Sequence, residues 1–229
     1  MSFSHQCSFL PLKAIKSFLG RSALIGLLLA LEEDAIAGAL ITQAGDRFVV
    51  NTAGAAGQMG GRDVYGFRPG VDSTARPLLT GEHDQTAIAL SPDNRWLAYA
   101  SSESGRYEVR VRPFPSLKSE WQVSAAGGTT PLWAHNGREL FYITPANEMV
   151  AASVETDPAF SVTERRVLFE LGPEFVREMT YAGYDISPDD RRFLMVRNVG
   201  PQEETVRQLV LVENWFEELK ELVGNEGRR

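Results

Sequence analysis

Hydrophobic and polar positions along this chain fall into short runs, and one unit of such runs returns four times. Each unit is an apolar strand, a polar turn with an arginine, and a second strand that is aromatic or strictly alternating. The first reads Leu40-Ile41-Thr42, a turn, then Gly45-Asp46-Arg47-Phe48-Val49-Val50; the second runs from Ile88 through Ser91-Pro92-Asp93-Asn94-Arg95 to Tyr99. The third runs from Pro131 through His135-Asn136-Gly137-Arg138 to Tyr142, and the fourth from Tyr184 through Ser187-Pro188-Asp189-Asp190-Arg191-Arg192 to Val196. Taking Arg47, Arg95, Arg138 and Arg192 as equivalent anchors gives spacings of 48, 43 and 54 residues.

Those spacings match the period of a β-propeller blade, roughly 40–50 residues. The rest of each period also reads as strands. In the second unit Trp96–Ala100 is followed by a serine-rich turn, then by the alternating run Tyr107–Arg112 and by Trp121–Ser124. The third adds Glu148–Val154 and Arg166–Leu171, the first Asp63–Arg68 and Arg76–Leu79. Four strands per period predicts an all-β fold, a partial β-propeller of about four four-stranded antiparallel blades. In the two Ser-Pro-Asp turns proline sets φ at the first corner, while Asp and Asn tolerate left-handed positions and bond nearby backbone amides, so Asp93 and Asp189 read as structural.

The fourth unit ends differently. After a strand at Gln208–Val212, Asn214 is placed to cap a short helix with Glu217 three residues on, and Trp215, Phe216, Leu219, Leu222 and Val223 share one face before Gly224 stops it. That stripe is expected to seal the last blade, because an uncovered sheet edge invites aggregation.

Residues 1–37 stand apart as a helical or signal-like segment. Lys13, Lys16 and Arg21 precede the apolar run Ala23–Leu31, then come three acids and the small-residue pattern Ala35-Ile36-Ala37. Removal as an export signal, which makes the remainder periplasmic or extracytoplasmic, an amphipathic helix packed on the blades, and a start codon upstream of the true domain are all open readings. The blades then occupy 38–223 and a tail 224–229.

Charge and composition narrow the function classes. A net charge of −7 with scattered arginines argues against nucleic-acid binding. Cys7 is the only cysteine, so neither an intramolecular disulfide nor a Cys-based zinc site can form. His5, His83 and His135 lack ligand spacing and read as loop or turn residues. Gly54–Gly61 is followed by a strand and not by the helix a phosphate cradle needs, so it reads as a hairpin loop. Adjacent Asp189 and Asp190 point apart and do not make an acid/base pair. Arg165-Arg166 and Arg191-Arg192 read as a solvated rim, and Trp96, Tyr99, Trp133, Phe141 and Tyr142 as packing between blades. No catalytic, cofactor-binding or metal residue is expected, and no cofactor.

The Ser91–Tyr99 unit resembles the blade signature of the six-bladed TolB-like, WD-repeat-like β-propellers of bacteria, in which glycine usually stands where this chain has Asn94. The runs Gly105–Pro115 and Gly127–Trp133 and the ending Glu213–Lys220 are similar to the propeller that closes many bacterial membrane-anchored serine/threonine kinases. The resemblance covers about residues 38–223 and implies a non-catalytic sensor or interaction module for a protein, peptide or small ligand. Two further readings are the C-terminal part of such a kinase, whose catalytic domain is not in this chain, and a periplasmic TolB-like envelope component. No kinase motif and no Gly-x-Ser-x-Gly elbow of the propeller-fused peptidases occurs. Four units where the family has six predicts an open ring whose exposed edges favour homo-oligomers or instability; any membrane link runs through residues 1–37 or an anchor upstream.

Overall fold

A strand covered on one face alternates apolar and polar residues, whereas one covered on both is apolar along its length, and the middle sheets of this protein are covered on both. The computed structural model describes residues 36–42, 45–52, 61–175, 182–197 and 209–212. The helix expected from Asn214, the segment carrying His5 and Cys7, and residues 53–60 of the glycine-rich loop lie outside them.

The described residues contain no helix and form four antiparallel sheets, each built from consecutive strands. Sheet 1 is β1 (Ile36–Ile41), β2 (Phe48–Thr52), β3 (Val64–Phe67) and β4 (Arg76–Leu79). Sheet 2 is β5 (Gln85–Leu90), β6 (Trp96–Ser101), β7 (Glu108–Pro113) and β8 (Trp121–Gln122). Sheet 3 is β9 (Thr129–Trp133), β10 (Glu139–Ile143), β11 (Glu148–Glu155) and β12 (Ser161–Glu170). Sheet 4 has three strands among the described residues, β13 (Tyr184–Ile186), β14 (Phe193–Val196) and β15 (Leu209–Val212). The expected strand positions hold, except that β12 starts at Ser161, five residues before Arg166, because it pairs with the whole of β11. The first strand starts at Ile36, inside the small-residue pattern Ala35–Ala37.

Sheets 1, 2 and 3 meet through their first strands, β5 lying against β1 and β9. Strand β6 shows the logic of the stack. Leu97 and Tyr99 join Val49, Val64 and Leu79 of sheet 1, whereas Trp96 and Ala98 join Trp133, Leu140, Val150 and Ala152 of sheet 3. One strand thus feeds two cores, and all six of its residues are buried. Sheet 3 repeats this, with Leu140 and Tyr142 facing sheet 2 and Phe141 and Ile143 facing Tyr184, Ile186, Phe193 and Met195 of sheet 4. The five aromatics expected to pack between blades do so.

The core between sheets 2 and 3 is aromatic. Phe160 sits 5.3 Å from Trp96, 5.8 Å from Trp121 and 6.4 Å from Trp133 by ring centroids, in tilted or edge-on geometry. The chain enters this core at Gly127-Gly128. A Cβ on Gly128 would stand 2.7 Å from the ring of Tyr142, and Gly127 has φ +97°. No other residue type fits there without displacing the ring or straining the backbone.

Candidate functional site

The four units turn from their first to their second strand with one backbone pattern. The amide of Gly45, Asn94, Gly137 or Asp190 donates to the carbonyl of the residue three before it, Thr42, Ser91, Ala134 or Ser187. Each of these four donors has positive φ, between 56° and 69°. This pattern corrects the anchoring arginines at both ends of the chain. The residue after the left-handed position is Asp46, Arg95, Arg138 and Arg191, so Arg47 and Arg192 stand one place late. Arginine doublets and neighbours make the shift invisible without the hydrogen bonds.

The Ser-Pro-Asp turns complete the pattern with side chains. Ser91 Oγ donates to Asp93 Oδ1 at 2.6 Å and accepts the buried Trp96 N–H at 3.0 Å; Asp93 Oδ1 also accepts Arg95 N–H. Ser187, Asp189, Arg191 and Arg192 repeat each of these bonds. The Ser187 hydroxyl, with the Arg191 amide, holds the Asp189 carboxyl below its ordinary value. Asp93 and Asp189 are turn residues, as expected.

Asp190 does something its neighbour Asp189 does not. Its carboxylate leaves its own turn and accepts three bonds from the turn of sheet 3: His135 N–H and His135 Nδ1–H, both at 2.8 Å, and Asn136 N–H at 3.1 Å. The two aspartates point apart, and His135 is a turn residue whose ring is held by the adjacent sheet. Asp185, close by on β13, is raised by burial, with the His135 ring opposing the shift. His83 lies in the loop before β5.

The other side of the sheet 3 turn is open. A cleft of about 770 Å³ lies between sheets 2 and 3, bounded by the Ser91–Asp93 turn, the Asn136–Glu139 turn and the β11–β12 loop at Ser153–Asp157. Its floor is the end of the aromatic core, Trp96 and Val154. Sequence reasoning did not find this cleft, because it arises between units and not within one.

Other chemistry-bearing side chains serve the fold. Asp84, almost fully buried, accepts Arg62 Nη1–H at 2.9 Å, the Arg62 amide at 3.2 Å and the Tyr107 hydroxyl, tying sheet 1 to sheet 2. Burial and this acid push the Tyr107 phenol up to about 12. Glu108, also buried, accepts Ser124 Oγ–H, Gly127 N–H and Arg106 Nε–H. On the outer part of sheet 2, Glu120 accepts the Tyr99 hydroxyl and two arginines, Arg110 and Arg112. Burial acts to raise Glu120, but the Tyr99 and Arg112 bonds outweigh it and the carboxyl lies below its ordinary value. The Arg165 guanidinium donates to Val123 O at 2.6 Å, so one member of the doublet expected to form a solvated rim stitches sheet 3 to sheet 2, whereas Arg166 stands 3.9 Å from Glu139 within sheet 3. Among the described residues no group of three His, Cys, Asp or Glu side chains is placed to hold a metal ion.

No protein-family model and no curated protein matches the chain. Solved structures do. TolB from Acinetobacter baumannii is 11% identical, with 78% of this chain and 41% of that chain covered at a TM-score of 0.53. The Myceliophteria thermophila Cps50 (Swd1) β-propeller domain is 10% identical, covering 78% of this chain and 60% of that one at 0.50. A Mycobacterium tuberculosis puromycin-hydrolyzing peptidase is 18% identical, covering 78% and 31% at 0.53. The chain spans less than two thirds of each of these structures. At such identities the likeness is one of architecture, and the architecture is that of a β-propeller.

Proposed function

We propose that this chain is a non-catalytic propeller module that binds a protein or peptide partner through the face carrying its first-to-second-strand turns. The observation that supports it most is the employment of its acids. Asp84, Glu108, Glu120 and Asp190 each accept bonds from cations, hydroxyls or amides of the fold. What the turn face offers is a groove between two sheets, of a volume suited to a ligand. The blades are taken to run over residues 38–223, with 224–229 a tail.

Within that class, the Gly105–Pro115 and Gly127–Trp133 runs and the Glu213–Lys220 ending support a docking or sensing part associated with a bacterial serine/threonine kinase. Propeller neighbours with enzymatic names make hydrolysis the rival. Purified chain incubated with ester, lactone and peptide substrates is expected to give no turnover above buffer. Turnover abolished by His135→Ala or Asp185→Asn would sink the reading.

A further inference from the structure

The repeat itself explains why a cleft opens where it does. Asp190 clamps the sheet 4 turn onto the sheet 3 turn by accepting two backbone amides and an imidazole N–H. One unit earlier, the left-handed position is Gly137, which has no side chain with which to reach the sheet 2 turn. One of the two amides it would need is missing too, because Pro92 stands where His135 stands and carries no N–H. A Cβ built on Gly137 would meet only Pro92 Cδ, at 3.8 Å. The carboxylate and one of its amide partners are therefore absent here, and the cleft lies beside the approach of Gly137 to Pro92.

The chemistry of that cleft is one-sided. Asp93, Glu139, Glu155 and Asp157 line it against a single cation, Arg138. Asp93 bonds within its own turn and Glu139 has Arg166 at 3.9 Å; Glu155 and Asp157 make no ion pair with a described residue. In the floor, Trp96 is 6% exposed and its indole Nε1–H has no acceptor in the fold. The carboxylates come from the β5–β6 turn, from β10, from the end of β11 and from the β11–β12 loop, and do not converge on a point, which suits separate cations along an extended ligand better than one metal ion. The volume lies within the range of roughly 300–1,000 Å³ typical of binding clefts.

We propose that this cleft is the docking groove for an extended segment of a partner protein bearing lysine or arginine side chains. The proposal rests on the binding-module reading above and gives it a place and a ligand chemistry. The carboxylates take the cations, and the Trp96–Val154 floor takes the aliphatic stems.

The test is fluorescence anisotropy of the full chain with a fluorescein-labelled peptide of alternating lysine and serine. Glu155→Lys should weaken binding about fivefold and Arg138→Glu should tighten it by a similar factor. Glu170→Lys makes the same charge change at the far end of the β11–β12 hairpin, roughly 23 Å away and beyond the screening length, and should alter binding less than twofold. Equal weakening by Glu155→Lys and Glu170→Lys, or no saturable binding at all, overturns the groove. A chain that ignores the peptide and turns nothing over is still a binding module with another site; turnover is what removes that reading.

Discussion

The turn between β9 and β10 has two flanks built in opposite ways. Toward sheet 4 it is fixed by the Asp190 carboxylate through three hydrogen bonds; toward sheet 2 Gly137 only approaches Pro92, beside an open cleft. The backbone of the turns is the same on both sides. What differs is the side chain at the one left-handed position, Asp190 against Gly137, and the residue opposite, His135 against Pro92. A repeat keeps its fold through the backbone pattern and places its function where a repeated side chain is missing.

Replacing the left-handed residue with glycine separates its local role from its clamp. Asp190→Gly relieves the backbone but releases three bonds to a carboxylate, and is expected to destabilise by about 1–3 kcal/mol. Asn94→Gly releases no bond to another turn and should be neutral or stabilising by up to about 1 kcal/mol. Urea unfolding of both variants reads the difference; equal destabilisation at the two sites would remove the clamp from the account.

A smaller contrast lies in the two serines. Ser91 accepts the buried Trp96 N–H beside the cleft, whereas Ser187 accepts the half-buried Arg192 N–H. Ser91→Ala should therefore cost about 1–2 kcal/mol and Ser187→Ala less than about 1 kcal/mol, by the same unfolding measurement. The reverse order would mean that burial of the amide is not what sets the cost.

The smallest effect is a titration. Asp189 is held below its ordinary value first by the Ser187 hydroxyl, so its folded form favours the carboxylate. Its contribution is complete above the ordinary aspartate range and is lost as pH falls through the depressed folded value. Carboxyl-carbon NMR should show Asp189 titrating low, and Ser187→Ala should move it back up.

Much of this was legible from residue order. The strand positions, the antiparallel units, the structural role of Asp93 and Asp189 and the aromatic packing all follow from period-two alternation and turn chemistry, which are local. The register between units was not, because Arg47 and Arg192 lie beside the true equivalents and only the amide-to-carbonyl bonds at Gly45 and Asp190 decide between them. Nor were the buried acids Asp84 and Glu108 legible as such. They sit at strand ends like any solvated acid, and their partners come from loops 16 to 23 residues away as well as from near neighbours. The cleft depends on an absence at Gly137 that acquires meaning only beside Asp190.

Hydrogen–deuterium exchange of the full chain, with and without the lysine–serine peptide, tests the binding face most directly. Slowed exchange is expected at residues 91–93, 136–139 and 153–157, which bound the cleft. Protection confined to the opposite-end loops, at 102–107 and 144–147, or no protection anywhere, would contradict it.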